Sequence, residues 1–471
     1  MTEKNYAGRW FALIALCLGT LMIVLDTTIV NVALPSIRDS LGFSASSLAW
    51  VVNAYVLTFG GFLMLGGRLG DLFGHRKLFL IGLVLFTAAS LACGLSTTAW
   101  ELIVARAVQG IGGAIVSAVS LSLMMNLFVE RQERAKAMGY FGFVAAGGGS
   151  VGVLLGGVLT GALNWHWIFL VNIPIGILVF ILSLKLLPKE HTRPDMLHLD
   201  VWGALAITAS LMLAVYTIVN GNDVGWTSLQ TLALGAVAVG LLALFITIES
   251  RVRSPLIPLD LFRLRNLRVA NMVAVLWAAA MFAWFFISAL YLQLVLGYTP
   301  LKVGLAFLPA NLIMAVFSFS ISAMLVNRFG IKRPLAIGLA IAAFGLLLLS
   351  RAPVGGAFVM DILPSMILLG IGAGIAFNPM LLAAMNDVTS DESGIASGIV
   401  NTSFMMGGAL GLAILASIAA SSTATLAAEG ASQTIALAGG YHAAFLIGAV
   451  CAAAGALLSA LFLKTSSAAH V

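Results

Sequence analysis

Apolar runs of about 18 to 25 residues, each long enough to cross a hydrocarbon core ~30 Å thick, recur from one end of this chain to the other. No other feature constrains the fold as tightly. Inside hydrocarbon every backbone N–H and C=O needs a partner within the protein, and a helix supplies that partner from its own segment. The sequence therefore predicts an all-α membrane protein of about fourteen helices. The predicted spans are 10–34, 47–67, 78–96, 100–125, 137–160 and 167–187, then 200–219 and 229–248, then 269–296, 301–326, 334–351, 358–382, 395–420 and 441–463. Turn chemistry separates them, as at Asn220-Gly221-Asn222-Asp223 and Gly297-Tyr298-Thr299-Pro300. Only 9% of the 471 residues are charged, against roughly 25% in soluble chains, so the lipid bilayer is the expected partner of this surface.

The positive charges fix an orientation. Counted with the N-terminus inside, the 24 lysines and arginines fall in alternate, cytoplasmic connections, the exceptions being Arg38, Lys302 and Arg351 outside and Arg106 within a helix. Both termini are then cytoplasmic. The same bias accounts for the formal net charge of +6 without a nucleic-acid partner, since no basic cluster sits on a soluble domain. Cys17, Cys93 and Cys451 lie singly in apolar runs, and the six histidines lack the i,i+4 pairing of a zinc helix. Neither a disulfide nor a metal site is expected. The first run is too long for a signal-peptide core and reads as a membrane helix. There is no phosphate-binding loop, so ATP is not the expected energy source.

An internal echo supports a duplicated architecture. Gly70-Asp71-Leu72-Phe73-Gly74-His75-Arg76 falls between the second and third spans, and Val326-Asn327-Arg328-Phe329-Gly330-Ile331-Lys332 between the tenth and eleventh. Setting aside the seventh and eighth spans leaves six plus six, with the two segments in matching positions, as in transporters built from internal repeats. The expected organisation is a six-helix half over 1–188, a linker with two further helices over 189–250 and a second six-helix half over 251–471.

Five segments carry a resemblance. Gly67-Arg68-Leu69-Gly70-Asp71-Leu72-Phe73-Gly74-His75-Arg76-Lys77 resembles the loop-2/3 signature of the major facilitator superfamily. Leu25-Asp26-Thr27-Thr28-Ile29-Val30-Asn31-Val32-Ala33-Leu34-Pro35 is similar to the first-helix motif of its 14-helix drug:proton antiporter branch, and Arg106-Ala107-Val108-Gln109-Gly110-Ile111-Gly112 to the fourth-helix motif. Trp165-His166-Trp167-Ile168-Phe169-Leu170-Val171-Asn172-Ile173-Pro174 and Gly394-Ile395-Ala396-Ser397-Gly398 complete the set. The resemblance implies a major facilitator fold and, for function, multidrug or toxic-metabolite efflux from a bacterial plasma membrane, with no enzymatic activity and no cofactor, the proton gradient being the driver. Two departures stand out. The fifth-helix antiporter motif keeps Gly148, Gly152, Gly156 and Gly157 but has Val153 where a proline is usual, which keeps proton-coupled uptake open as an alternative. After Asn401-Thr402-Ser403 the usual Arg-Gln is replaced by Phe404-Met405, which removes a charge.

Asp26 is the first residue expected to carry chemistry. An ionisable group inside a membrane helix costs ~2.5–3.5 kcal/mol on insertion scales, so it persists at functional or paired positions. Desolvation favours the neutral form of a carboxyl, the property a reversible proton carrier needs. Arg106 is expected at similar depth, since Asp26 lies ~12 Å and Arg106 ~9 Å from the outer ends of their helices at 1.5 Å per residue. The two are expected to communicate, directly or through Gln109, Asn31 or water; a structural ion pair is the bland alternative. The resemblance implies a cytoplasmic gate at Asp71, Arg76 and Lys77, with Glu130, Arg131, Glu133 and Arg134 as partners, set against simple topogenic charge. Asn31, Asn53, Tyr55, Gln109, Trp277, Trp284 and Tyr291 are the candidates for binding a small-molecule substrate, the aromatic ones by stacking. A membrane-fusion adaptor is left open. A non-transporting sensor or assembly protein would need a soluble output domain, and the longest inner connection, about 249–268, is too short for one.

Overall fold

The computed structural model describes residues 3–44, 46–128, 130–188, 200–252, 255–388 and 393–464. The long helices are, in chain order, α1 Glu3–Leu41, α2 Trp50–Phe73, α3 His75–Leu95, α4 Ala99–Leu127, α5 Arg131–Ala162, α6 Trp167–Leu186, α7 Val201–Val224, α8 Leu229–Arg251, α9 Arg265–Val295, α10 Pro300–Phe329, α11 Lys332–Leu349, α12 Phe358–Met385, α13 Ser393–Ala428 and α14 Gln433–Phe462. No strand occurs among the described residues. Among the described residues, thirteen of the helices are long and apolar enough to cross a membrane, and α5 contributes a shorter apolar stretch, Gly148–Ala162. Large apolar side chains such as Trp202, Leu229, Val239 and Leu461 point outward, as a lipid-facing surface requires.

Several helices overrun the predicted spans: α13 continues past 420 to Ala428, α14 starts at Gln433 rather than 441, and α1 passes the expected end at 34 and continues through Pro35 to Leu41. Proline removes one backbone donor, but residues 32–35 and 37 are buried against neighbouring helices, whose packing holds the helix on course. A second departure is a single wide turn within each of α9, α10 and α12, at Tyr291–Val295, Phe317–Ile321 and Phe358–Ile362. Such π-turns shift the register of everything beyond them, and they recur at functional positions.

Helix pairing repeats with an offset of eight. α1 packs on α5 and α6, α2 and α3 on α4, and α3 on α6; correspondingly α9 packs on α13 and α14, α10 and α11 on α12, and α11 on α14. The two sets meet through α5 against α10 and α13 against α2, again an offset of eight. α7 lies on α2 and α13, and α8 has α7 as its main neighbour. The short echo in the sequence has a matching backbone. Gly74 (φ 92°) and Gly330 (φ 74°) each follow a phenylalanine in the left-handed region, which L side chains enter at a cost. Each donates its N–H to the carbonyl four residues back, Gly70 at 2.9 Å and Val326 at 2.8 Å. These turns lie at the end of the bundle that carries most of the lysines and arginines, called here the basic end.

Candidate functional site

Asp26 and Arg106 meet in the interior between α1 and α4. Asp26 is 0% exposed and Arg106 1%, and Arg106 Nη1 donates to Asp26 Oδ2 at 2.5 Å. The other carboxylate oxygen, Oδ1, accepts from Gln109 Nε2 at 2.7 Å and from Asn172 Nδ2 at 3.0 Å. Gln109 closes the loop, its Oε1 accepting from Arg106 Nη1 at 2.7 Å while its Nε2 also reaches Ser90 Oγ at 2.8 Å. Arg106 Nε donates to the Val51 carbonyl at 2.9 Å, and the guanidinium lies 4.4 Å from the centre of the Tyr55 ring. Arg106, Gln109 and Asn172 all donate to the carboxylate.

Glycines of α5 fix the position of this turn of α1. A Cβ on Gly148 would meet Leu21 and Val24 at 3.0 Å, one on Gly152 would collide with the Thr28 hydroxyl, and one on Gly156 would lie 2.6 Å from the Ile29 carbonyl oxygen. Spaced four apart, the three share one helix face, and they bring α5 directly against the segment that carries Asp26. Gly157 turns the other way, onto Pro300 and Leu301 of α10. Val153 is buried, α5 continues through it, and its carbonyl faces Gly304.

A cavity of about 540 Å³ opens where the two sets of helices face each other. Val24, Thr27, Thr28 and Asn31 of α1, Val52, Tyr55 and Val56 of α2, and Arg106 line one side, with Met138, Gly139 and Gly149 of α5. Trp277, Met281, Phe282 and Phe285 of α9, Asn311 to Phe319 in part, Ala373, Phe377 and Asn378 of α12, and Phe404 and Met405 of α13 line the other. Arg106 is thus shared between the cavity wall and the buried carboxylate, whereas Asp26 lies behind it. The π-turn of α10 contributes Ser318 and Phe319 to the wall, and the Ser318 carbonyl that it leaves open accepts from Asn378 Nδ2 at 2.6 Å.

Away from the basic end the two helix sets close tightly. The Gly157–Pro300 and Gly304–Val153 approaches lie there, together with a hydrogen bond from Gln293 Nε2, in the α9 π-turn, to the Val32 carbonyl at 2.9 Å. Toward the basic end the wall reaches Met138, Ser318, Phe319 and Met405, within about three turns of the helix ends there.

The substrate candidates divide. Asn31, Tyr55 and Trp277 line the cavity. Gln109 belongs to the carboxylate network, and Asn31, whose Nδ2 reaches back to the Thr27 and Thr28 carbonyls at 3.4 Å, does not. Asn53, Trp284 and Tyr291 lie outside the lining. Asn53 is fully buried, Trp284 packs on Phe285, and the Tyr291 hydroxyl donates to the carbonyls of Ala352 and Pro353 at 3.0 and 3.1 Å. Trp277, Trp284 and Tyr291 are spaced by seven and lie on nearly one face of α9, so depth separates them: at 1.5 Å per residue Trp284 lies ~10 Å and Tyr291 ~21 Å along the axis from Trp277. At the basic end Asp71 Oδ1 is 3.1 Å from His75 Nε2, and Arg76 Nη2 donates to the Leu184 carbonyl at 2.7 Å, tying the start of α3 to the end of α6. Lys77 and Glu130 are exposed. The side chain of Arg134 lies outside the described residues. Glu133 instead pairs with Arg9 of α1 at 3.3 Å.

Sequence reasoning missed Ser90 and Asn172 in the network and Asn311 and Asn378 in the wall. Asn172 had one usable signal, a polar residue inside an otherwise apolar run directly before Ile173-Pro174.

The family model described as Major Facilitator Superfamily matches residues 16–412. The chain is 39% identical over 427 residues to the cephamycin export protein CmcT of Amycolatopsis lactamdurans, covering 90% of this chain and 87% of that protein. It is 37% identical over 437 residues to the puromycin resistance protein of Streptomyces alboniger, covering 92% and 86%. Among solved structures, the xylose transporter XylE from E. coli in an inward open conformation superimposes with a TM-score of 0.65 at 16% identity, covering 98% of this chain and 97% of that one. At that identity the likeness speaks for the fold alone.

Proposed function

The chain belongs to the Major Facilitator Superfamily, and on that premise we propose that it exports small organic compounds across a bacterial plasma membrane in exchange for protons. The reading takes the bundle as fourteen membrane helices, with six-helix halves over 1–188 and 251–471, a linker carrying α7 and α8 over 189–250, and both termini cytoplasmic. The basic end is then the inner face. The tight closure at the far end, with a cavity reaching toward the basic end, corresponds to an inward-facing state. The eight-helix offset in pairing supports alternating access by rocking of the halves.

The observation that carries the proposal is the position of Arg106, with one face in the cavity wall and the other on Asp26. With Asp26 ionised, Arg106 is held back and the α1–α4 contact is complete. A proton on Asp26 removes the charge that holds Arg106, loosens α1 against α4 and leaves the cavity wall net positive. Substrate and proton then compete through one guanidinium, so loading of one favours release of the other. Asp71, Arg76 and Lys77 would guard the inner face, where the Arg76 link between α3 and α6 supports a role in holding the first half together. Tight α5 contacts at Gly148, Gly152, Gly156 and Gly157 would carry the motion of α1 to α10.

The test is uptake of a lipophilic dye into inside-out membrane vesicles energised by an imposed pH gradient. Export predicts accumulation that collapses when a protonophore is added. Vesicles with and without the protein that behave alike, across a broad dye and antibiotic panel, would refute it.

A further inference from the structure

The polar groups of the cavity wall are not all satisfied, and the exceptions say what the cavity accepts. Thr28 donates to the Val24 carbonyl on its own helix, and Asn378 donates to Ser318. Asn311 differs. It is 1% exposed, it lines the cavity, and neither its amide nitrogen nor its amide oxygen has a hydrogen-bond partner. Trp277, also 1% exposed and also in the wall, carries an indole N–H without a partner. The Tyr55 hydroxyl, equally buried in the wall, also lacks a partner. Buried polar groups are nearly always paired, so these three in the wall of one cavity form a preset hydrogen-bonding set for something that enters it, with Asn311 and Trp277 together on the face made by the last six helices. Their surroundings are apolar and aromatic: Met281, Phe282, Phe285, Phe377 and Phe404.

Charge is the second constraint. Among the described residues no Asp or Glu is in the lining, and the charged side chain there is Arg106, a cation answered by Asp26 from behind. A permanently charged cation entering this space would lose its hydration and find no carboxylate in the wall; ring faces alone compensate only part of that loss. The volume of about 540 Å³ falls within the range for drug-sized ligands.

We propose that the cavity selects uncharged lipophilic compounds bearing a carbonyl or hydroxyl group, and that Asn311 and Trp277 are the residues that read that polar group. This rests on the reading of the cavity as the export site. The wall supplies donors from both residues and an acceptor from Asn311, so a ligand carbonyl can accept from the two N–H groups, and a ligand hydroxyl can accept from one of them while donating to the Asn311 oxygen. A purely hydrocarbon ligand would leave both side chains unsatisfied and is disfavoured for that reason.

Equilibrium binding to the full-length protein in lipid nanodiscs, with empty nanodiscs subtracted, tests it using two fluorescent probes. Nile red is uncharged and carries a carbonyl; ethidium is a permanent cation. The expected result is saturable Nile red binding, with ethidium at least about tenfold weaker, and Nile red weakened about five- to tenfold by Asn311→Leu and by Trp277→Phe, the loss of one hydrogen bond in each case. Asn220→Leu, at the end of α7 and remote from the cavity, leaves it unchanged. Ethidium binding as tight as Nile red would overturn the charge selection. Nile red affinity unaltered in both variants would overturn the role of Asn311 and Trp277. Should Asn311→Leu fail to fold, Trp277→Phe and the wild-type probe ratio decide by the same criteria. Binding is read without a gradient, so these results are independent of whether proton-driven flux is found.

Discussion

At the closed end Gln293 Nε2 donates to the Val32 carbonyl at 2.9 Å, a hydrogen bond that joins the last six helices directly to the first six. Replacing Gln293 by leucine keeps the bulk of the side chain and deletes the donor. A neutral hydrogen bond contributes about 0.5–1.5 kcal/mol net. Because this one exists only while that end is closed, its loss should appear directly in the balance between closed and open states. A cost of ~1 kcal/mol corresponds to about a fivefold change in that ratio. Spin labels at Ser40 and Lys302, on opposite sides of the closure in α1 and α10, report it by pulsed dipolar spectroscopy, with Cys17, Cys93 and Cys451 replaced by alanine. The variant should gain weight in the longer-distance population by about that factor, without altering the distances themselves. A distance distribution identical to the parent's, in a protein that still binds Nile red, would show that the glycine contacts alone hold this end shut.

Three further outcomes follow from the packing. Gly156→Val places a Cβ against the Ile29 carbonyl, 2.6 Å away before relaxation, and should cost about 1–3 kcal/mol. Thermal unfolding in detergent should show the loss, while Gly139→Ala, whose added carbon meets nothing within 4 Å, should not; equal melting temperatures would contradict the α1–α5 interface. Gly74→Ala and Gly330→Ala should each destabilise by ~1–2 kcal/mol because both turns need positive φ, and a loss at only one would argue against equivalent turns. Asn172→Leu removes one donor from the Asp26 carboxylate. A hydrogen bond to a charged group is worth about 1.5–3 kcal/mol, so the stability loss should be much smaller when Asp26→Asn is already present. Additive losses in that double-mutant cycle would mean the contact is energetically idle.

Much of this fold could be read in the sequence because the bilayer imposes one rule on every segment. Length and hydropathy placed the spans, and most helix ends fell within a few residues of expectation. The exceptions have physical causes. The first span was expected to end at 34, yet α1 runs on through the buried Pro35 to Leu41. The three π-turns, at Tyr291–Val295, Phe317–Ile321 and Phe358–Ile362, interrupt runs whose apolar character is unchanged, so hydropathy does not mark them. For the site, the intramembrane charges Asp26 and Arg106 stood out against an apolar background, and the structure places them in contact. The uncharged members did not stand out. Ser90, Asn172 and Asn311 are single polar residues of a kind found throughout membrane helices, and only the three-dimensional packing separates one that touches the carboxylate from one that bonds to its own backbone. The helix-nine aromatics show the same limit: Trp277 faces the cavity and Trp284, seven residues on, does not.

The central claim is that proton movement is coupled to substrate through Asp26 and Arg106. Its most direct test is substrate-driven proton flux in liposomes enclosing a pH-sensitive dye, with wild type and Asp26→Asn run side by side at equal protein density. Asparagine keeps the size of the side chain and removes the titratable group. The account predicts Nile red–dependent alkalinisation or acidification in the wild type, according to the imposed gradient, and none above background in Asp26→Asn despite retained Nile red binding. Flux in the variant at the wild-type rate would contradict it and place the proton elsewhere.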